Sequence, residues 1–143
     1  MSRNTTCQDW KADGTEAHLN VQSVNSHRLG LSRDGKYIVS LGMFFNTVKV
    51  TRTAENSIVI TAYVDRGPHE AFFAPDKRTV WIGTRGVSSV KGIDGMNGTI
   101  LGRIPTGKGP SKVLCSPDGQ TAYVNHIMDP ISVMINVPSP KDK

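Results

Sequence analysis

The sequence predicts an all-β chain built from short antiparallel sheets that recur at a fixed step. Three observations predict it. The acidic turns "SRDGK", "APDKR" and "SPDGQ" place Asp34, Asp76 and Asp118 at intervals of 42 residues. The apolar runs between turns are short and rich in β-branched and aromatic side chains, as a half-buried pleated surface requires. Gly (14) and Pro (8) punctuate the 143 residues too often for long helices.

Each copy has the same internal order. A first apolar strand is expected over "RLGLS", "EAFFA" and "KVLCS". A Pro-Asp-Gly type turn follows, with Arg33 in place of Pro in the first copy and Lys77 in place of Gly in the second. A second strand covers "YIVSLG", "TVWIGT" and "AYVNH", and a third covers "NTVKV", "SSVKGID" and "ISVMI". Asn97-Gly98 then turns the chain as a two-residue hairpin signal. Fourth strands are expected over "SIVITAYV" and "TILGRIP". Other positions keep the same step of 42: His27 with His69, Gly67 with Gly109, Pro68 with Pro110, and Trp81 with Tyr123.

Four antiparallel strands per repeat of this length make the blade of a β-propeller. Helical repeats need apolar residues at i, i+3 and i+4, which these turn-broken runs lack, and a sandwich has no reason to repeat at one step. The expected architecture is an incomplete ring of about three blades over residues 17–136. A flexible segment (1–16) precedes it and a disordered Pro-rich tail (137–143) follows. The third copy lacks a fourth strand, whereas residues 17–24, "AHLNVQSV", occupy the place of a fourth strand from a preceding blade. Propellers close with about 4–8 blades, and an open arc leaves apolar faces uncovered at both ends. The chain is therefore expected to be a piece of a longer propeller or to have its ends covered by partners. A head-to-tail pair would make six blades.

At these residues the chain resembles the YVTN family of β-propeller repeats. "PSKVLCSPDGQTAYVNH" (110–126) matches the first half of that blade and "SSVKGIDGMNGTILGRIPTGKG" (88–109) the second. Asn125 follows Val124 directly, so the Thr of the motif is absent. The resemblance implies relatives among quinoprotein amine dehydrogenase-like subunits, sugar lactonases, copper or haem reductases and surface-layer proteins, and it leans towards a periplasmic or extracellular setting. WD-like blades share the architecture.

Composition narrows the rest. The net charge of +5 is spread over scattered residues (Arg28, Arg66, Arg85, Lys112 among them) with no basic tract, so no nucleic-acid partner is expected. No apolar stretch reaches membrane-spanning length, and the polar start "MSRNTTCQDWKADG" does not read as a secretory signal. Cys7 and Cys115 share no metal-like spacing, and Cys115 reads as a small buried hydrophobe.

Histidine is the residue type with most chemical potential. His27 and His69 begin the innermost strands, one repeat apart, and are the candidate metal site of a shared channel. Ser111 stands where the third histidine would fall. Two ligands are one short of a catalytic zinc set, and the competing reading is an inherited polar strand-start residue. His126 ends a second strand and His18 lies in the N-terminal segment. Glu70 could couple to His69, but neighbours on a strand point to opposite faces. Asp34, Asp76 and Asp118 are periodic and read as turn residues, as does Asp94 at its strand end. "GRIPTGKG" (102–109) mimics a phosphate loop but has Gly109 where Ser or Thr is needed and no helix after it. Trp81 and Tyr123 read as packing between blades. Asn4-Thr5-Thr6 and Asn97-Gly98-Thr99 fit the glycosylation acceptor pattern. No cofactor is expected. The function expected is a non-catalytic binding or scaffold module, and the alternative is a piece of a propeller enzyme.

Overall fold

The computed structural model describes residues 26–129 and 132–137, with the side chains of Ser26, His27 and Ser132 outside that description. The segments 1–16, 17–24 and 138–143 also lie outside the described residues. Eleven strands run in chain order: β1 (Ser26–Leu31), β2 (Tyr37–Gly42), β3 (Thr47–Arg52), β4 (Ser57–Tyr63), β5 (Pro68–Phe73), β6 (Thr79–Thr84), β7 (Ser89–Asp94), β8 (Ile100–Pro105), β9 (Pro110–Cys115), β10 (Thr121–His126) and β11 (Ser132–Asn136). They form two four-stranded sheets, β1-β2-β3-β4 and β5-β6-β7-β8, and a three-stranded sheet, β9-β10-β11. All pairings are antiparallel between consecutive strands, so each sheet is one meander. The fold is all-β, an incomplete succession of propeller-like blades.

The first strands of the sheets start 42 residues apart, at Ser26, Pro68 and Pro110, and so do the second, at Tyr37, Thr79 and Thr121. β5 and β9 begin two residues ahead of the apolar runs "EAFFA" and "KVLCS", because Pro68 and Pro110 already pair with the second strand. The turn at Asn97-Gly98 is wider than a two-residue hairpin. Asp94 N–H bonds Thr99 O, Gly98 N–H bonds Asp94 O, and the Asp94 carboxylate accepts from Met96 N–H. That local carboxylate cap favours a four-residue corner over the tighter one. Gly98 takes the left-handed φ of 77° there, and Asn56 takes φ 54° at the matching place in the first sheet.

The side chains of consecutive sheets interlock in two cores. Val39, Leu41, Val48 and Val50 of the first sheet meet Ala71, Val80, Ile82 and Ile93 of the second. Trp81 and Val90 of the second meet Val113, Ala122, Val124 and Ile135 of the third. Strand alternation explains the division: Val80 and Ile82 face back to the first sheet while Trp81 between them faces on to the third. Backbones of consecutive sheets approach closely where β1 meets β5 and where β6 meets β9. A Cβ at Gly30 would lie 2.5 Å from Ala71 O, and one at Gly83 would lie 2.2 Å from Ser111 O, so only glycine fits.

The loops at one end bind the blades in the same periodic way. Val64 N–H donates to Asn46 O and Thr106 N–H to Ser88 O, 42 residues on. Arg85 N–H donates to Gly67 O and Ile127 N–H to Gly109 O, again one repeat apart.

Candidate functional site

The innermost strands carry the residues with chemical potential. Each contains a register shift: between Ser26 and Leu29 in β1, between Pro68 and Glu70 in β5, and opposite Val124 to His126 in β9. The shift leaves His69 unpaired across β6, and a bulge breaks strand alternation. His69 Nδ1 lies 4.0 Å from Glu70 Oε1.

His69 is buried, and its Nδ1 lies 2.8 Å from the hydroxyl of Ser111, the residue one repeat later. Glu70 is buried too, and its Oε1 lies 3.0 Å from the Arg28 guanidinium, one repeat earlier. Both contacts thus join successive blades. Glu70 Oε2 is buried without a hydrogen-bond partner. His27 has its backbone in β1, but its side chain lies outside the described residues, so the expected His27–His69 pair is seen from the His69 side only. Among the described residues no group of three or more His, Cys, Asp or Glu side chains stands together as a metal set.

The periodic aspartates close the turns between first and second strands. Asp34 accepts from Ser32 Oγ–H and Lys36 N–H, and Asp118 from Ser116 Oγ–H and Gln120 N–H. The hydroxyls beside them hold both carboxyls below the ordinary value. Asp76 accepts from Arg78 N–H, Thr79 N–H and Thr79 Oγ–H. Asp94 is pushed up by burial, but the Arg78 guanidinium at 2.8 Å and Met96 N–H outweigh that and leave it lowered.

The loop 106–109 is followed by β9, not by a helix. Lys108 N–H donates to the Asp129 carboxylate, so a fixed acid stands where a phosphate loop would take its anion. Cys115 is half-buried and free, and burial together with Asp76 pushes its thiol up. Cys7, His18 and Asn4 lie outside the described residues. His126 ends β10 and is half-buried. Asn97 is exposed, with its side-chain oxygen on Thr99 N–H.

Trp81 and Tyr123 hold the same repeat position but have different surroundings. Trp81 is buried in the core between the second and third sheets, against Gly92, and its Nε1–H has no partner. Tyr123 is half exposed, because no further sheet lies beyond the third among the described residues.

One cluster has no periodic signature. Asp65, in the link from β4 to β5, lies 3.0 Å from Lys91 Nζ and 2.7 Å from the Arg103 guanidinium. The Lys91 side chain is 4% exposed, so Asp65 is its charge partner in a nearly dry setting. Burial pushes the Asp65 carboxyl up, but the bonds from Lys91 and Arg103 outweigh it and hold the group below 3.8. One repeat on, Asp65 becomes Gly107 and Lys91 becomes Val133, so repeat comparison could not have found the trio.

A groove of about 1080 Å³ runs between the second and third sheets, lined by Trp81, Leu101, Arg103, Ile104, Asn136 and Val137 among others. It lies along β8 and reaches the end of β11 at Asn136, with the turns at Asp76 and Asp118 also in its wall.

No protein-family model matches the chain. No curated protein matches it. Solved structures do. The chain is similar to hydrazine synthase of Kuenenia stuttgartiensis with a TM-score of 0.71 and 22% identity, over 78% of this chain and 32% of that one. It is similar to a candidate 6-phosphogluconolactonase of Bacteroides fragilis with a TM-score of 0.71 and 18% identity, over 80% of this chain and 35% of that one. The chain thus spans about a third of the length of these structures. Likeness at this identity establishes the fold, a β-propeller-like succession of four-stranded antiparallel sheets.

Proposed function

We propose that the chain is a segment of a YVTN-type propeller that acts as a non-catalytic binding or scaffold unit. The observation that carries this reading is where its polar residues are spent. His69 and Glu70 bond residues one repeat away, Ser111 and Arg28, and so join adjoining blades. The periodic aspartates are likewise spent on turns. A side chain that seams two blades is poorly placed to exchange ligands or protons in turnover. The family reading rests on the step of 42 and on the Ser-Pro-Asp-Gly and Tyr-Val-Asn blocks.

A second reading is a piece of a propeller enzyme subunit: lactonase-like, quinoprotein amine dehydrogenase-like or copper/haem reductase-like. It draws on the likeness to structures described as a hydrazine synthase and a 6-phosphogluconolactonase. Metal analysis separates the two readings. For the scaffold, purified chain binds no copper, iron or zinc at one per chain, while Ser111→Ala and His69→Ala each lower the thermal midpoint by about 3–8 °C through a lost buried bond. One metal per chain, lost on changing His27 and His69 to Ala, would favour the enzyme and end the scaffold reading.

A further inference from the structure

We propose that the groove beside β8 and β11 receives residues 17–24 of a second copy of this chain as the missing fourth strand of the last sheet, so that two copies join head to tail. The inference rests on the reading of the chain as a propeller segment and names its partner.

Among the described residues the last sheet has three strands where the others have four, and β11 pairs with β10 alone, so its outer edge is open. The internal junction shows what belongs there. Between the first and second sheets, the corner at Gly98 that leads into β8 comes within contact of Ile60 and Ala62 of β4. One repeat on, Ile60 and Ala62 become Gly102 and Ile104 of β8, and these line the groove. By that analogy the groove is the seat of the corner that leads into a fourth strand of the third sheet, beside the open edge of β11. Trp81 Nε1–H is buried without a partner in its wall.

The segment that fits is in the same chain. Both fourth strands end five positions before the next innermost strand starts: Tyr63 before Pro68, and Pro105 before Pro110. Counted back from Ser26, that spacing ends a strand at Val21, inside "AHLNVQSV". Within one copy this segment precedes β1, where a fourth strand would belong to a sheet before the first. Seated on β11 of another copy, it brings its own β1 in as the next innermost strand through a link of the usual length.

The faces that this brings together each carry exposed apolar side chains among polar ones, and neither is covered among the described residues. Leu114, Tyr123 and Met134 lie in register across the last sheet and point away from the second. Leu29, Leu31 and Ile58 point away from it on the first. All six are between 50% and 67% exposed. Contiguous exposed rows of this kind mark association surfaces. Two such junctions close six blades, within the range of about 4–8 that propellers use. The junction differs from the internal one in charge. Arg28 meets Glu70 inside the chain, but at the new junction the matching position holds Lys112, whose ammonium lies 5.7 Å over the Phe72 ring of its own chain.

The test is the mass of the full chain in solution, with hydrogen exchange on residues 17–24. The expected result is twice the chain mass of 15.5 kDa, with slow exchange over that segment in the dimer. Val21→Pro removes a strand hydrogen bond and raises the dissociation constant on the order of a hundredfold. Met134→Glu does the same from the other side of the junction, and as an exposed position it leaves the monomer folded. Lys112→Glu restores opposite charges and lowers the constant about threefold. A folded monomer at micromolar concentration, or a dimer indifferent to Val21→Pro and Met134→Glu, overturns the inference and leaves the scaffold reading standing. Stoichiometric metal held by His27 and His69 ends the scaffold reading whatever the mass.

Discussion

The second sheet and its two neighbours are built from one repeat and differ in what they bury. β5, β6 and β7 are covered on both faces: Val80 and Ile82 by the first sheet, Trp81 and Val90 by the third. Among the described residues the flanking sheets are covered on one face only. The pair Trp81 and Tyr123 isolates the effect, since both sit at one repeat position and one is buried while the other is exposed. Burial here depends on the next blade and not on the residue. A blade completes its core with side chains it does not own, which is how repeat architectures divide stability between unit and interface.

The largest expected effect follows from that contrast. Ile82→Ala, in the core between first and second sheets, is expected to cost about 4 kcal/mol. Leu114→Ala, on the open face of the third sheet, is expected to stay within about 0.5 kcal/mol for the dissociated chain. Urea unfolding of both variants at low protein concentration measures the difference. Equal costs would mean that the third sheet is covered and that the contrast is false.

The second effect concerns charge in the central sheet. Asp65→Ala leaves Lys91 buried without its carboxylate and is expected to cost about 3 kcal/mol. The same group sets a pH dependence. Its carboxyl is held below 3.8, so it releases its proton more readily folded than unfolded. Its contribution is fully present above 3.8 and is lost as pH falls through the lower folded value, where the unfolded chain binds the extra proton. Unfolding midpoints followed from pH 6 down to about 2 should fall, and fall less steeply in Asp65→Asn. An unchanged slope would show that Asp65 is not ion-paired in solution.

Most of the fold was legible in the sequence. The step of 42 placed the strands because a fixed repeat imposes one set of turns, and Asp34, Asp76 and Asp118 mark those turns with the same carboxylate geometry. What stayed hidden lacked a repeat. The Asp65, Lys91 and Arg103 trio occurs once. The register shift at His69 comes from pairing with β6, which the spacing of apolar residues cannot register; His69 still reaches forward to Ser111 and Glu70 back to Arg28. The reach of His69 to Ser111 is hidden in the sequence: Ser111 stands where a third histidine would fall, and its hydroxyl is the partner of the histidine one repeat before it.

The smallest effect has the opposite sign. Gly35 and Gly119 take left-handed φ values of 71° and 75° in the turns of the flanking sheets, and Lys77 takes 62° at the matching place in the central one. A residue with a Cβ is strained there by about 1–2 kcal/mol, whereas glycine is not. Glycine also gives the unfolded chain more freedom, which offsets part of the gain. Lys77→Gly should therefore stabilise the chain by about 0.5–1 kcal/mol, the net of the two terms. Gly119→Lys, which builds the central turn into the last sheet, should cost a similar amount. Thermal or urea unfolding of the two variants checks both signs. If Lys77→Gly destabilises, the lysine contributes something at that turn that a glycine cannot, and the three turns are not equivalent despite their common step.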